Sequence, residues 1–363
     1  MVLGHSVGGM AIVLGVACGA FADEFAYRFP ADQVLRYRVK ATRVYKFTDG
    51  TTTGSVEVVW ELSGGADSAA PLRARIRDLK LILKGGEEPL AFDSAKPPAA
   101  AAIARDKRLG VLAGLRGDGP TLAITRRGLV PDLDEEVRGL LRRGSTRGLP
   151  PGSGSAGGAS LWTVARDLLA GMALRVAFVG LPDQANKGAQ GTDAFEIWQT
   201  AIERHVTLTS LAGGKAEIAV GGTFAYEDHS GPVKGLATFD TEAGRLTTSK
   251  GAGTIPLSAR ESISRSWELS FEKALPLAEA GPESFEKPLP AGVTLIERRV
   301  GKIKSDVGGI SVYADAGCET VAFGIAKGDV FRVVERPTGE SLKVVDAWGR
   351  AGWVKVKHTL VAK

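Results

Sequence analysis

The residues that could do chemistry in this chain are few and far apart. His205, His229 and His358 are the histidines outside the N-terminal stretch, and no pair of them has the spacing of a helical zinc motif. A histidine-based triad stays open, because its members need not be close in sequence, but no G-x-S-x-G nucleophile elbow accompanies them. We therefore predict no catalytic residue, no metal site and no cofactor.

Residues 152–157 read G-x-G-x-x-G, which is the pattern of a dinucleotide-binding turn. Such a turn needs a strand directly before it and a helix directly after it. Here the glycines lie in a tract at 145–158 that is rich in Pro, Gly and Ser, and no strand is predicted before them. We interpret the tract as a flexible loop and not as a nucleotide site.

A ladder of basic residues is the strongest charge pattern in the chain. Its members are Arg36, Arg38 and Lys40 in one predicted strand and Arg73, Arg75 and Arg77 in another. Each set alternates with apolar residues, so each set lies on one face of its strand. Glu57 and Glu61 lie on the strand between them, which predicts cross-strand ion pairs if the strands pair in order. The alternative is a cationic, ligand-binding face for an anionic envelope polymer or a lipid headgroup.

Long antiparallel strands position this ladder. Residues 35–47 alternate between apolar and charged side chains, Asp49-Gly50 supplies a turn, and residues 56–62 repeat the alternation. The parity of the apolar residues changes between 72–76 and 79–83, which predicts a bulge near Arg77-Asp78. Further strands are predicted at 203–211, 215–226, 233–240, 244–249 and 262–271. The fold class is therefore mainly β with a few helices (α+β), with a large curved antiparallel sheet packed on those helices.

The chain divides into four predicted parts. Residues 1–22 carry no Asp, Glu, Lys or Arg and end in Ala20-Phe21-Ala22, which is typical of a secretory signal peptide. A lipoprotein signal with an acylated Cys18 is the alternative. The body spans 23–275, with helices near 99–108, 133–143 and 160–170 and the flexible loop at 145–158. A Pro-rich linker at 276–296 leads to a small β unit at 297–363.

Composition excludes several classes of protein. The chain has 363 residues, of which 44% are hydrophobic, and this is too apolar for a disordered protein. A formal charge of +5 is too small to indicate a nucleic-acid partner. Signal removal leaves Cys318 as the only cysteine and no apolar run that could span a membrane. We expect an exported protein that is periplasmic or extracellular, without a nucleic-acid partner.

The C-terminal unit resembles the bacterial SH3-like domain. The resemblance rests on the strand and small-residue loop at 310–317, the turn Lys327-Gly328-Asp329 and the closing Gly352-Trp353-Val354. It implies a small closed β-barrel over about 297–363, with Trp353 in its core. It also implies an aromatic groove that binds peptidoglycan or a short peptide. Where the family has Asn-Val-Arg, this chain has Val312-Tyr313-Ala314, and we expect the groove to be formed by Tyr313, Phe323 and Trp348.

Three functions follow from these patterns. The first is an exported, non-enzymatic binding or scaffolding protein of the bacterial cell envelope, whose C-terminal unit contacts cell wall or peptide. The second uses a loose similarity of the body to exported β-rich proteins and to the lipoprotein-carrier family, and makes the chain a periplasmic carrier of a lipid or other hydrophobic ligand. The third is a wall-targeted hydrolase, for which the sequence nominates no residues.

Overall fold

The computed structural model describes most of the body and parts of the C-terminal unit. The described residues are 25–64, 72–85, 89–96, 98–117, 119–122, 124, 127–128, 130, 133–149, 159–182, 184–197, 199–276, 300–303, 309–326, 330–334, 340–346 and 351–361. The predicted signal peptide, residues 277–296 of the predicted linker, Trp348 and the Lys327-Gly328-Asp329 turn lie outside these residues. None of the helices described has the length and apolarity that crossing a bilayer requires.

An eleven-stranded antiparallel sheet forms the body, which confirms the mainly β prediction. Its strands are β1 (Gln33–Phe47), β2 (Gly50–Ser63), β3 (Leu72–Lys84), β4 (Leu90–Asp93), β5 (Thr121–Leu122), β6 (Gln190–Ile197), β7 (Thr200–Ala212), β8 (Lys215–Tyr226), β9 (His229–Asp240), β10 (Arg245–Pro256) and β11 (Ser262–Pro276). Their spatial order is β4-β3-β2-β1-β11-β10-β9-β8-β7-β6, with β5 beside β3. The sheet therefore consists of two series of hairpins, β1–β4 and β6–β11, which are joined by the pairing of β1 with β11.

Strand β3 contains the predicted bulge. Val59 pairs with Asp78, whereas the next residue, Trp60, pairs with Ile76, so Arg77 is the extra residue. The apolar residues on both sides of the bulge are buried, namely Leu72, Ala74, Ile76, Leu79 and Leu81. The bulge therefore keeps one face of β3 apolar although the parity of the sequence changes.

The sheet curves around one helix. Helix α4 (Ala159–Val164) continues directly into a π-helix (Ala165–Val176), so the helix predicted near 160–170 extends further. A Cβ added at Gly54 of β2 would lie 3.1 Å from Leu168, and one added at Gly171 would lie 2.5 Å from Ile197 of β6. Six strands separate β2 from β6. In a flat sheet, β2 and β6 would therefore be about 34 Å apart. A 12-residue helix is at most about 18 Å long, so the sheet must curve for both strands to contact it.

Two further helices pack on each other through glycines. They are α2 (Lys107–Leu115), which follows the short α1 (Ala100–Arg105), and α3 (Asp134–Gly148). A Cβ added at Gly148 would lie 1.7 Å from the carbonyl oxygen of Gly110, and one at Gly114 would lie 2.1 Å from that of Gly144. We predicted that Gly144 ends the helix and that a loop begins at 145. The structure corrects this, because Gly144 lets the two backbones touch and the helix continues to Gly148.

The C-terminal unit is a second antiparallel sheet. It contains β12 (Val300–Ile303), β13 (Gly309–Tyr313), β14 (Val321–Ala326), β15 (Val330–Val333), β16 (Ser341–Asp346), β17 (Ala351–Lys355) and β18 (Thr359–Val361). The strand order is β14-β13-β17-β16-β15-β12-β18, a path with β14 and β18 at its ends. Closure of the predicted barrel is therefore not observed among the described strands. Strand β14 instead packs on α3, where a Cβ added at Gly324 would lie 2.1 Å from the Thr146 carbonyl oxygen.

Candidate functional site

Three arginines lie on one cross-strand row of the large sheet, on the face toward the π-helix. Arg43 of β1 is opposite Arg265 of β11. The row continues from Arg265 across β10, β9 and β8 to Arg204 of β7, which is opposite Asp193 of β6. All three arginines are buried. A row of this kind is unusual, because inward positions of a sheet that packs on helices normally carry apolar residues.

Two of these arginines meet a carboxylate near the start of the π-helix. Arg43 donates through Nη1 to Asp167 at 2.5 Å, and Arg265 donates through Nη1 to the other carboxylate oxygen of Asp167. Arg265 also donates to the Thr200 hydroxyl at 3.1 Å. Asp167 is fully buried. Both Arg43 and Arg265 therefore compensate the buried negative charge of Asp167. A buried charge without a partner would destabilise the fold.

The third arginine binds the other end of the π-helix. Arg204 donates to Asp193 at 2.8 Å and 2.5 Å. It also donates to the carbonyl oxygens of Val176 at 2.6 Å and Phe178 at 3.1 Å. These carbonyls belong to the last turn of the helix and the residues after it, where backbone acceptors lack helical partners. One row of the sheet therefore fixes both ends of the π-helix. We call Arg43, Arg265, Asp167, Arg204 and Asp193 the inner ion cluster.

The predicted basic ladder lies on the opposite face and is interleaved with carboxylates. Arg36 donates to Glu61 at 2.6 Å, and Arg77 approaches the same oxygen at 3.3 Å. Arg38 donates to Glu57 at 2.5 Å and to Glu272 at 2.7 Å. The rest of the ladder is placed by register: Lys40 is opposite Glu57 and Glu268, Arg75 is opposite Glu61, and Arg73 is opposite Ser63 and Thr121. The cross-strand ion pairs are therefore present, and they interrupt the cationic face that was the alternative.

The C-terminal unit presents alternating aromatic and cationic side chains. Tyr313 of β13 is opposite Trp353 of β17, which is in turn opposite Lys343 of β16. The Lys343 ammonium lies 5.6 Å from the Trp353 ring centre, and the Lys355 ammonium lies 5.7 Å from that of Tyr313. All four side chains are half-buried. We call these four residues the aromatic patch.

The aromatic patch differs from the groove that the sequence predicts. Tyr313 takes part, but Phe323 is only 8% exposed and packs in the core of the unit. Trp353 was expected in that core, and this is corrected, because Val354 is the buried residue at the end of β17. Trp353 and Val354 are adjacent in β17, and adjacent residues of a strand point to opposite faces, so only one of them can lie in the core. Trp348 lies outside the described residues, so its predicted role stays a prediction.

Two observations bear on catalytic chemistry in the described part of the chain. There, no three His, Cys, Asp or Glu side chains are grouped closely enough to hold a metal ion. Cys318 lies in a tight turn with a φ of 56°, and partial burial raises the pKa of its thiol. A raised thiol pKa disfavours the thiolate that a nucleophile requires.

The comparisons with known proteins identify no family. No family model and no curated protein matches this chain. A domain from Vibrio parahaemolyticus described as an outer membrane lipoprotein-sorting protein is 9% identical, with a TM-score of 0.15 over 67% of this chain and 85% of that chain. An outer membrane channel from Pseudomonas putida F1 is 8% identical, with a TM-score of 0.17 over 71% of this chain and 100% of that one. Similarity at this level carries no argument about fold or function.

Proposed function

We propose that this chain is an exported, non-enzymatic binding protein of the bacterial cell envelope, and that the aromatic patch holds an anionic cell-wall polymer. The observation that carries the proposal is the pair Tyr313 and Trp353, adjacent and half-buried, with a lysine ammonium within 6 Å of each ring. The resemblance of residues 297–363 to SH3-like domains belongs to the same proposal. So does export by the N-terminal signal.

The chemistry of the patch favours a ligand that is both ring-shaped and negatively charged. Aromatic faces at a surface stack against the C–H faces of sugars, and the amphipathic Tyr and Trp rings are suited to such half-wet positions. The Lys343 and Lys355 ammonium groups supply charge for carboxylate or phosphate groups beside those sugars. The surrounding segment 291–363 contains 12 basic and 8 acidic residues, a net charge of +4. The long-range part of that attraction weakens with salt.

The test is sedimentation of the full mature chain with purified peptidoglycan sacculi. We expect wild-type protein to sediment, and Trp353→Ala to weaken binding by about five- to 150-fold, since a stacked aromatic contributes roughly 1–3 kcal/mol. A Lys343→Gln, Lys355→Gln double variant should weaken binding mainly at low salt, because its contribution is electrostatic.

The matched control is Phe47→Ala, which removes an exposed aromatic (42% exposed) from the body. It should leave sedimentation unchanged. Failure of wild-type protein to sediment would remove the cell-wall polymer from the proposal. If Phe47→Ala and Trp353→Ala lose binding equally, the contact is non-specific and the aromatic patch is not the site.

A second candidate function, carriage of a hydrophobic ligand by the body, is favoured by the curvature of the sheet around the π-helix. Leu168, Met172 and Leu174 of that helix are fully buried against the concave face. An apolar ligand could use the same surface if the helix moved away. Native mass spectrometry of protein purified from its own host tests this candidate, which predicts a bound lipid. A mass equal to that of the bare chain would argue against it.

A further inference from the structure

The two edges of the large sheet differ in length and in protection. One edge is β4, which has four residues. The other is β6, which has eight residues, pairs with β7 without a register shift and contains neither lysine nor proline. Natural sheets shorten, kink or charge an exposed edge, because its backbone groups can otherwise join another strand. The inward charge of β6 is Asp193, and Arg204 compensates it.

The backbone of β6 is open to a further strand. The Glu196 carbonyl oxygen accepts from Arg175 Nη1 at 2.8 Å, so this carbonyl points away from β7. Backbone direction alternates along a strand, and Thr192 and Ala194 therefore point the same way as Glu196. The outward N–H and C=O groups of Thr192 and Ala194 hydrogen-bond to no residue that the structure describes. Both residues are exposed.

The side chains of β6 favour one way for two copies of the strand to pair. With a two-fold axis at Ala194, residues 191–197 of the two copies pair, and Thr192 of each copy is opposite Glu196 of the other. An axis at Asp193 gives equally many pairs but places two carboxylates directly opposite each other, which is unfavourable. An axis at Glu196 has the same fault. The remaining axes pair fewer residues of the strand.

We infer that two copies of this chain pair through β6 as antiparallel strands, with Ala194 on the two-fold axis. Residues that face each other in this way exchange both N–H and C=O hydrogen bonds, so Thr192, Ala194 and Glu196 of each copy gain partners. The Glu196 oxygen keeps its bond from Arg175, because a carbonyl oxygen can accept two hydrogen bonds. The inference goes beyond the proposed function, since it concerns the body and does not require the aromatic patch.

Sedimentation velocity of the full mature chain tests the dimer. The dimer fraction should rise with protein concentration by mass action. Ala194→Pro should be monomeric at concentrations where wild-type protein is dimeric, because proline removes the N–H donor at the centre of the contact. That N–H takes no part in the β6–β7 ladder, so the variant should fold. Wild-type protein that stays monomeric at every concentration would overturn the inference.

The matched control is Ala91→Pro in β4, at the other edge of the sheet. Ser94 donates its N–H to the Leu79 carbonyl of β3, so by alternation the N–H of the exposed Ala91 points away from β3. Ala91→Pro should therefore fold and stay dimeric, and thermal unfolding checks that both proline variants are folded. If both variants are monomeric, the loss of the dimer is not specific to β6 and the inference is wrong.

Cross-linking tests the register without proline. In a Cys318→Ser background, which removes the remaining cysteine of the mature chain, Ala194→Cys should form a disulfide-linked dimer on oxidation. Residues opposite each other in such a pair have Cα atoms about 5.5 Å apart, which a disulfide can span. Gln190→Cys is the control and should stay unlinked, because its two copies would be about 27 Å apart along the strands. Absence of the Ala194→Cys disulfide, or equal cross-linking of both variants, would overturn the inference.

Discussion

Arg43 and Arg38 use their charges in opposite ways on the two faces of the large sheet. On the concave face, which is the face toward the π-helix, Arg43 and Arg265 are buried and bind the buried carboxylate of Asp167. On the convex face, Arg38 binds Glu57 and Glu272, and its side chain is 40% exposed. The same strand, β1, supplies Arg38 and Arg43, which are five residues apart and point to opposite faces.

The comparison shows that position, and not the number of ion pairs, decides what an arginine does for this fold. The Arg38 side chain is partly exposed, so water solvates its two carboxylate partners when it is removed, and its pairs contribute little. The Arg36–Glu61 pair lies on the same face but is buried, and it does not share this property. No water reaches a fully buried Asp167, so removing a partner there leaves a charge that nothing compensates. The inner ion cluster therefore fixes where the π-helix lies, whereas the exposed pairs of Arg38 contribute little to the fold.

The largest effect is expected at the centre of the inner ion cluster. Asp167→Ala leaves Arg43 and Arg265 buried around a missing carboxylate, and we expect a loss of about 3–5 kcal/mol in the free energy of unfolding. Glu57→Ala, on the convex face, is the matched control and should cost at most about 1 kcal/mol. Urea unfolding followed by circular dichroism measures both. Equal losses in the two variants would break the comparison between the faces.

A smaller effect is expected at the C-terminal end of the π-helix. Arg204→Lys keeps the charge but loses the planar fork that reaches Asp193 and the carbonyls of Val176 and Phe178 together. We expect a loss of about 2 kcal/mol, which is the cost of one or two charge-assisted hydrogen bonds. Hydrogen exchange should show the loss of protection in residues 172–178.

The control for that variant is Arg38→Lys on the convex face, which also keeps the charge. It should leave amide protection in β1 and β2 unchanged, because solvent screens the pairs it alters. If Arg204→Lys exchanges no faster than wild-type protein at 172–178, the arginine does not hold the end of the helix.

Much of the large sheet follows from the alternation in the sequence. The strands that carry the ladder and the bulge at Arg77 are readable because most inward residues are apolar and most outward residues are polar. Strand β6 was missed, because it is an edge strand in which only Ile197 is buried and which therefore shows no clear apolar face. The extension of α3 was missed because Gly144 is equally compatible with a helix end and with a close contact between helices.

The sites were harder to predict than the fold. Arg43 and Arg265 occupy inward positions of their strands, and Asp167 directly precedes the apolar run 168–174 of its helix, so charges that break an apolar pattern were the available signal. That signal shows that a charge is buried, but not which opposite charge it meets, because Asp167 and Arg265 are 98 residues apart. The aromatic patch likewise depends on which of Trp353 and Val354 points inward, and a strand of five residues with Gly352 in it leaves that parity ambiguous.

The smallest effect is expected on the convex face of the sheet. Arg38→Gln removes a cation that serves both Glu57 and Glu272, yet we expect a loss of only about 0.5–1 kcal/mol at low salt, because exposed pairs gain little over their hydrated forms. The difference from wild-type protein should vanish in 1 M sodium chloride, where screening acts within about 3 Å. A buried pair is shielded from those ions, so the deficit of Asp167→Ala should persist in the same salt. If added salt erased both deficits in urea unfolding, the inner ion cluster would have to be open to solvent, and the distinction between the two faces would fail.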